Sequence, residues 1–149
     1  MKAKGWIDRI ALAAMLATAA SGAVVTTTMA AQGRADARFA MPDGVERRFF
    51  TSGPMGTTTY RVDVDAAGRE IARVQVLNDA VFGEVREGAT DAEIYATLGP
   101  PARKETFHRT RRTAWDYHYR DTWGYEAEFA VLFDTEGRVV GKFSTRDSG

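Results

Sequence analysis

Asp116 and His118 stand two apart in "AWDYHYR". On a strand, that spacing puts a carboxylate and an imidazole on one face, the smallest set able to move a proton. No Ser or Cys nucleophile lies close in sequence to complete a relay, and the chain has no cysteine at all. A solvated outer face accounts for the pair without catalysis. His108 and His118 are no better as a metal pair, because no third ligand follows at a recognisable spacing. No Gly-rich phosphate loop is present. The sequence therefore predicts no enzyme, no metal site and no cofactor.

Two features point to binding. Arg103, Lys104, His108, Arg109, Arg111 and Arg112 crowd one segment around a turn. Such a segment suits lipid phosphates or an acidic protein surface, each base adding about 1 kcal/mol near an anionic membrane. Glu126 and Glu128 stand on a neighbouring strand and offer an internal counter-charge. The second feature is Trp123 in "RDTWGYE", at a turn where burial is hard to arrange. A Trp on a loop tip is a contact residue in waiting.

The totals suit one core and little else. The chain has 149 residues, 44% hydrophobic and 27% charged, with a formal net charge of zero, so nothing marks a nucleic-acid binder. Lys2, Lys4 and Arg9 precede an uncharged run from Ile10 to Ala31, with "IALAAMLATAA" as its apolar centre. Residues 1–30 read as an export signal or a retained N-terminal anchor, with small residues at two cleavage positions. Without cysteine there is no site for a lipid anchor on the chain as written.

Past the leader, period-two alternation dominates. Strands are expected at 45–50, 57–65 and 69–77, a three-stranded meander. The period then changes. Leu77, Val81 and Val85 fall four apart, with Asn78 or Asp79 able to cap a short helix. Gly88 breaks it. In "TDAEIYATLGPP", Thr90 and Glu93 have capping-box spacing, Gly99 closes the helix in a left-handed conformation, and Pro100 and Pro101 forbid continuation. Three or four further antiparallel strands follow. Trp115, Tyr117 and Tyr119 share one face, as do Phe129, Val131 and Phe133, and this aromatic face is the partner for both helices.

Residues 60–74 and 129–143 resemble each other at an offset of 69. Val62, Asp65, Gly68 and Arg69 meet identical residues, and Val45 to Phe50 falls on Ala114 to Tyr119. The chain thus divides into a leader (1–30), a partial repeat of strands alone (38–77) and a complete unit (78–145).

"FGEVREGATDAEIYATLGPPARKE", "AWDYHY" and "EFAVLFDTEGRVVGKF" resemble the SmpA/OmlA (BamE-like) family of outer-membrane protein assembly factors. Phe82, Gly88, Thr90, Leu98, Gly99, Pro101, Trp115, Tyr117, Asp134 and Gly137 occupy the places of that family's pattern, where they serve structure. Ala89 departs from it by standing where the family usually has Met, and the family's lipoprotein cysteine is missing. The resemblance implies an α+β fold, two short helices on a three- to four-stranded antiparallel sheet, preceded here by the extra meander. It also implies a non-enzymatic binding or scaffold protein, exported to the periplasm or the periplasmic face of the outer membrane. Its partners would be subunits of the β-barrel assembly machinery or anionic lipid. Helices on a small sheet in this order also resemble β-lactamase-inhibitor proteins. The second reading is therefore a periplasmic protein-binding or inhibitor-like module unrelated to barrel assembly.

Overall fold

The computed structural model describes residues 34–147, and the expected leader at 1–30 lies outside them. The elements are β1 (Ala37–Ala40), β2 (Glu46–Thr51), β3 (Thr59–Val64), β4 (Glu70–Gln75), α1 (Asp79–Gly83), α2 (Asp91–Leu98), β5 (Arg103–Phe107), β6 (Arg112–Arg120), β7 (Glu126–Phe133) and β8 (Val139–Arg146). The strands form two antiparallel sheets, β1-β2-β3-β4 and β5-β6-β7-β8. This is the expected α+β arrangement with one difference: the first sheet has four strands, not three. Its extra strand, β1, is four residues of Ala-Arg-Phe-Ala, too short to show a period. Pairing supplies what pattern cannot, with Ala37 opposite Phe49 and Phe39 opposite Arg47.

Both helices begin on their expected caps. The Asn78 side chain accepts from Val81 N at 3.0 Å. At α2 the Thr90 hydroxyl accepts from Glu93 N (3.1 Å), and the Glu93 carboxylate accepts from Thr90 N (2.8 Å). Two otherwise orphaned amides are thus satisfied at each other's expense. Ile94 and Leu98 point α2 into the core, where they meet Trp115, Tyr117, Phe129, Val131 and Phe133. From α1, Phe82 stacks on Phe129 with centroids 3.9 Å apart and meets Tyr119 edge-on at 4.8 Å.

The first sheet closes the other side of α2. Tyr95 packs edge-on against Phe39 of β1 at 5.1 Å and against Trp115 of β6 at 6.0 Å. Two arginines complete the dock. Arg47 donates to the carbonyl of Ala96 (2.8 Å) and Arg61 to that of Thr97 (3.0 Å). A helix leaves its last carbonyls without internal partners and carries partial negative charge there, so both cations are well placed. Asp63 holds the Arg47 guanidinium with both oxygens, at 2.7 and 2.9 Å.

Three hairpin turns are built alike: Asp65 to Arg69, Asp121 to Tyr125 and Asp134 to Arg138. In each, the first Asp accepts at Oδ1 from the amides two and four residues on, and a glycine with positive φ closes the turn. The β3–β4 and β7–β8 hairpins also share their register. Tyr60 opposes Gln75 as Phe129 opposes Ser144, and both ladders shift at the same place, Asp63/Val64 and Leu132/Phe133.

Gly99 is where the layers meet. Its φ is +77° as the sequence predicts, but its ψ of −165° is extended, not left-handed helical. The following Pro100 favours the extended setting. A Cβ there would sit 2.6 Å from Phe49 Cδ1. At Gly124, where φ is +85°, a Cβ would meet nothing within 4 Å. Gly124→Ala is expected to cost about 1 kcal/mol, the strain of positive φ alone. Gly99→Ala is expected to cost about 3 kcal/mol, because the clash adds to the strain. Urea denaturation of the two variants beside the parent chain checks this. Equal losses would mean that Phe49 does not press on Gly99.

Candidate functional site

β6 is nine residues long and so spans about 30 Å. The turn that carries Arg109 and Arg111 and the turn that carries Trp123 sit beyond its two ends, whereas Arg112 is its first residue and Arg103 and Lys104 pair alongside it, opposite Asp116 and Trp115. Thr113 pairs with Phe133 at one end and Arg120 with Glu126 at the other. The basic turn lies past the first and the Trp123 turn past the second.

At the basic end the six residues separate into groups. Arg103 is committed: its Nε and Nη2 both reach Asp116 Oδ2 at 2.8 Å, with Glu128 at 3.8 Å. Lys104 lies on the opposite face of β5, its ammonium 4.2 Å above the Trp115 ring. Arg109, Arg111 and Arg112 make no hydrogen bond or ion pair among the described residues. They share the hairpin with Phe107, which is 42% exposed and lies directly across from Arg112. Arg111 takes the one positive φ of a described non-glycine residue, 54°, to turn the hairpin. Arginines without an ion-pair partner among the described residues and an exposed ring therefore share this end.

Asp116 is not the solvated residue that alternation suggests. It faces outward, yet it is only 3% exposed, because Arg103 from the edge strand folds over it. The carboxylate is thus occupied by the Arg103 guanidinium. His118 lies beside it, with Nδ1 3.9 Å from Glu128, and helps line a hollow of about 340 Å³ with Tyr117, Pro100 and Pro101. No group of three or more His, Cys, Asp or Glu among the described residues could hold a metal ion. No helix among them is long and apolar enough to cross a membrane. His108 and His118 are on different elements, the first in the turn after β5 and the second in β6.

At the other end Trp123 is 79% exposed, on a turn that is tightly held. Asp79, the first residue of α1, accepts from the Thr122 hydroxyl (2.7 Å), Thr122 N (3.1 Å) and the Tyr119 hydroxyl (3.0 Å). Asp121 Oδ1 accepts from Trp123 N and Tyr125 N, both at 2.9 Å. Its Oδ2 takes the Arg146 guanidinium, at 2.8 Å from Nε. That guanidinium lies over the exposed Tyr125 ring, 4.7 Å from its centroid. Trp, Tyr and Arg thus stand together on a braced support, and these are the residue types that dominate binding energy at protein interfaces. Sequence reasoning singled out Trp123 as a candidate and did not place Tyr125 or Arg146 beside it. The legible signal was a third Asp-x-x-Gly, "DTWG", matching the turns at Asp65 and Asp134.

The Thr122 hydroxyl first, then Tyr119 and Thr122 N, hold the Asp79 carboxyl below its ordinary value of 3.8 against the opposing effect of burial. Burial pushes the Asp121 carboxyl up, and the bonds from Tyr125 N, Arg146 and Trp123 N outweigh it, so this group too lies below 3.8. A folded-state value below the unfolded one means that the bracing is present at neutral pH and lost as acid protonates the carboxylate. In an NMR titration from about pH 6 to about pH 2, the Thr122 and Trp123 amide signals are expected to move with midpoints below 3.8. Asp79→Asn is expected to abolish the Thr122 transition and leave the Trp123 transition, which reports Asp121. Midpoints at or above the ordinary value would contradict the bracing.

Several of the remaining pattern residues make contacts between elements. Tyr117 donates from its hydroxyl to the carbonyl of Gly99 at 3.0 Å. Gly88 N donates to Val139 O, and Asp91 N to Gly137 O, so the β7–β8 turn is stitched to the entry of α2. These contacts close a unit running from α1 to β8. Comparison with curated proteins and with solved structures found no match. Comparison with protein families found that residues 75–142 match the outer membrane protein assembly factor BamE domain, a stretch that runs from the last residue of β4 through α1, α2 and β5–β7 into the first half of β8.

Proposed function

We propose that this chain is an exported, non-enzymatic binding and scaffold module that supports outer-membrane protein assembly or envelope integrity. The observation that carries the reading is the family match over most of the α1–β8 unit. The exposed, braced Trp123 at one end of that unit is the proposed contact for a protein of the assembly machinery. The unpaired Arg109, Arg111 and Arg112 at the other end are the proposed contact for anionic lipid or an acidic surface, with Arg103 and Lys104 supporting the hairpin from behind. We also read the first sheet as a partial repeat that has kept its strands without helices. The shared register, bulge and turn of the two hairpins support that reading.

A photocrosslinker at position 123, used in the native cell with fractionation of the product, tests the protein contact. The expected product is a membrane-fraction adduct with an assembly subunit. An adduct with a soluble periplasmic protein would instead favour the inhibitor-like module. The charge contact is tested by co-sedimentation with phospholipid vesicles. Replacing Arg109, Arg111 and Arg112 together by Ala is expected to weaken binding to anionic vesicles about tenfold or more. Binding to neutral vesicles is expected to be absent for both chains. Unchanged binding to anionic vesicles would remove the lipid contact from the proposal.

A further inference from the structure

A groove of about 590 Å³ runs beside α2, between β1 and β5. Tyr95 forms its floor with Phe39 on one side and Trp115 on the other. Each wall is the terminal strand of its own sheet. A terminal strand turns alternate backbone N–H and C=O groups outward without partners, a template for another strand. β5 is exposed along its whole length.

Register decides which side chains face the groove. Lys104 pairs with Trp115 and Thr106 with Thr113, so these lie on the floor side, whereas Arg103, Glu105 and Phe107 lie on the other. Lys104 holds its ammonium 4.2 Å over Trp115 and 5.8 Å from the Tyr95 centroid. It has no carboxylate partner among the described residues. The acids along the groove have other engagements. Asp36 Oδ2 accepts from Thr51 N and Oγ1, and Asp91 Oδ1 accepts from Ala92 N. A cation fixed above an aromatic floor, next to an open strand edge, is complementary to one kind of ligand. It is an extended chain with apolar side chains on one face and a carboxylate among them.

We propose that β5 accepts an extended segment of a partner protein as an added strand. The segment lays apolar side chains on Tyr95 and Trp115 and sets an acidic side chain against Lys104. Main-chain bonds along β5 give affinity, and Lys104 gives the preference for acid. β5 is the acceptor and not β1, because it is longer, fully exposed and carries a cation without a carboxylate partner, whereas Arg38 of β1 lies 3.8 Å from Glu46. A helix, whose main-chain groups are already paired internally, has none to offer an open edge. This inference stands apart from the reading of Trp123, which concerns the turn at the end of β6.

The test uses the chain described and three synthetic decapeptides. One alternates Val and Thr with a single Glu in the Val register. The second has Gln for that Glu. The third is the Glu peptide N-methylated at alternate residues, which removes the donors of one strand edge. Binding is followed by calorimetry and by backbone amide shifts. The Glu peptide is expected to bind at least fivefold more tightly than the Gln peptide, with shifts concentrated in β5. The N-methylated peptide is expected not to bind. Lys104→Gln, a change at an exposed position, is expected to make the Glu and Gln peptides equal while leaving the Gln peptide's affinity within twofold. Four results would each overturn the proposal: no saturable binding, equal affinity of the Glu and Gln peptides for the parent chain, binding by the N-methylated peptide, or shifts along β4 or β8 in place of β5. Self-association of the chain through β5 that the Glu peptide cannot displace would also overturn it, by assigning the edge to a second copy.

Discussion

The arrangement turns on one residue without a side chain. Gly99 ends α2, and its Cα lies against the Phe49 ring of the first sheet, close enough that no Cβ fits between them. Its carbonyl accepts from the buried Tyr117 hydroxyl of the second sheet. Both sheets therefore meet the helix at a single peptide. Around that point, Phe49 is fully buried and Arg47 and Arg61 satisfy the carbonyls one turn earlier. A larger residue at position 99 would push the first sheet away from the helix end and withdraw both arginines from their acceptors. The apolar contact and the polar contacts thus depend on the same close approach.

The two ends of β6 are chemically unlike, and the difference comes from pairing. Around Trp123 every neighbouring charge is spent on holding the turn: Asp79 on Thr122 and Tyr119, Asp121 on the backbone and Arg146. What is left to solvent is rigid and aromatic, which lowers the conformational entropy lost on contact. Around Phe107 no acid is spent on Arg109, Arg111 or Arg112. What is left there is charge, which acts over a longer range and weakens with salt. One strand thus separates a surface suited to fitting from a surface suited to attraction.

Much of this was legible in the sequence because it is local. The capping box at Thr90 and Glu93, the cap at Asn78, the stop at Gly99 and the Asp-x-x-Gly turns are all set by residues within five positions of one another. The aromatic face of β6 and β7 followed from alternation. What escaped was set across the chain. β1 exists because β2 pairs with it, and its own four residues say little. Asp116 alternates as a surface residue and is buried because Arg103, thirteen positions away, covers it. That the first meander forms its own sheet, docked against the end of α2, is a matter of packing that no period encodes. The candidate surfaces divide the same way. Trp123 was visible from its turn, whereas Arg146 reaches that turn from the last strand.

The matched register of the β3–β4 and β7–β8 hairpins has a consequence for how the chain reaches this state. Every strand in both sheets pairs with a sequence neighbour, so each meander assembles from short loop closures and needs no long crossover. Two hairpins with the same bulge and the same turn are also interchangeable templates. While both are forming, the edge of one is a plausible partner for the other's strands, in the same chain or in a neighbour. The turn residues do not discriminate between them, since Asp65 and Asp134 make the same bonds. Discrimination rests on what each sheet faces: helices stitched on by Thr90, Gly88 and Asp91 for the second, the end of α2 for the first. The helices therefore tell two similar sheets apart as well as filling the core between them.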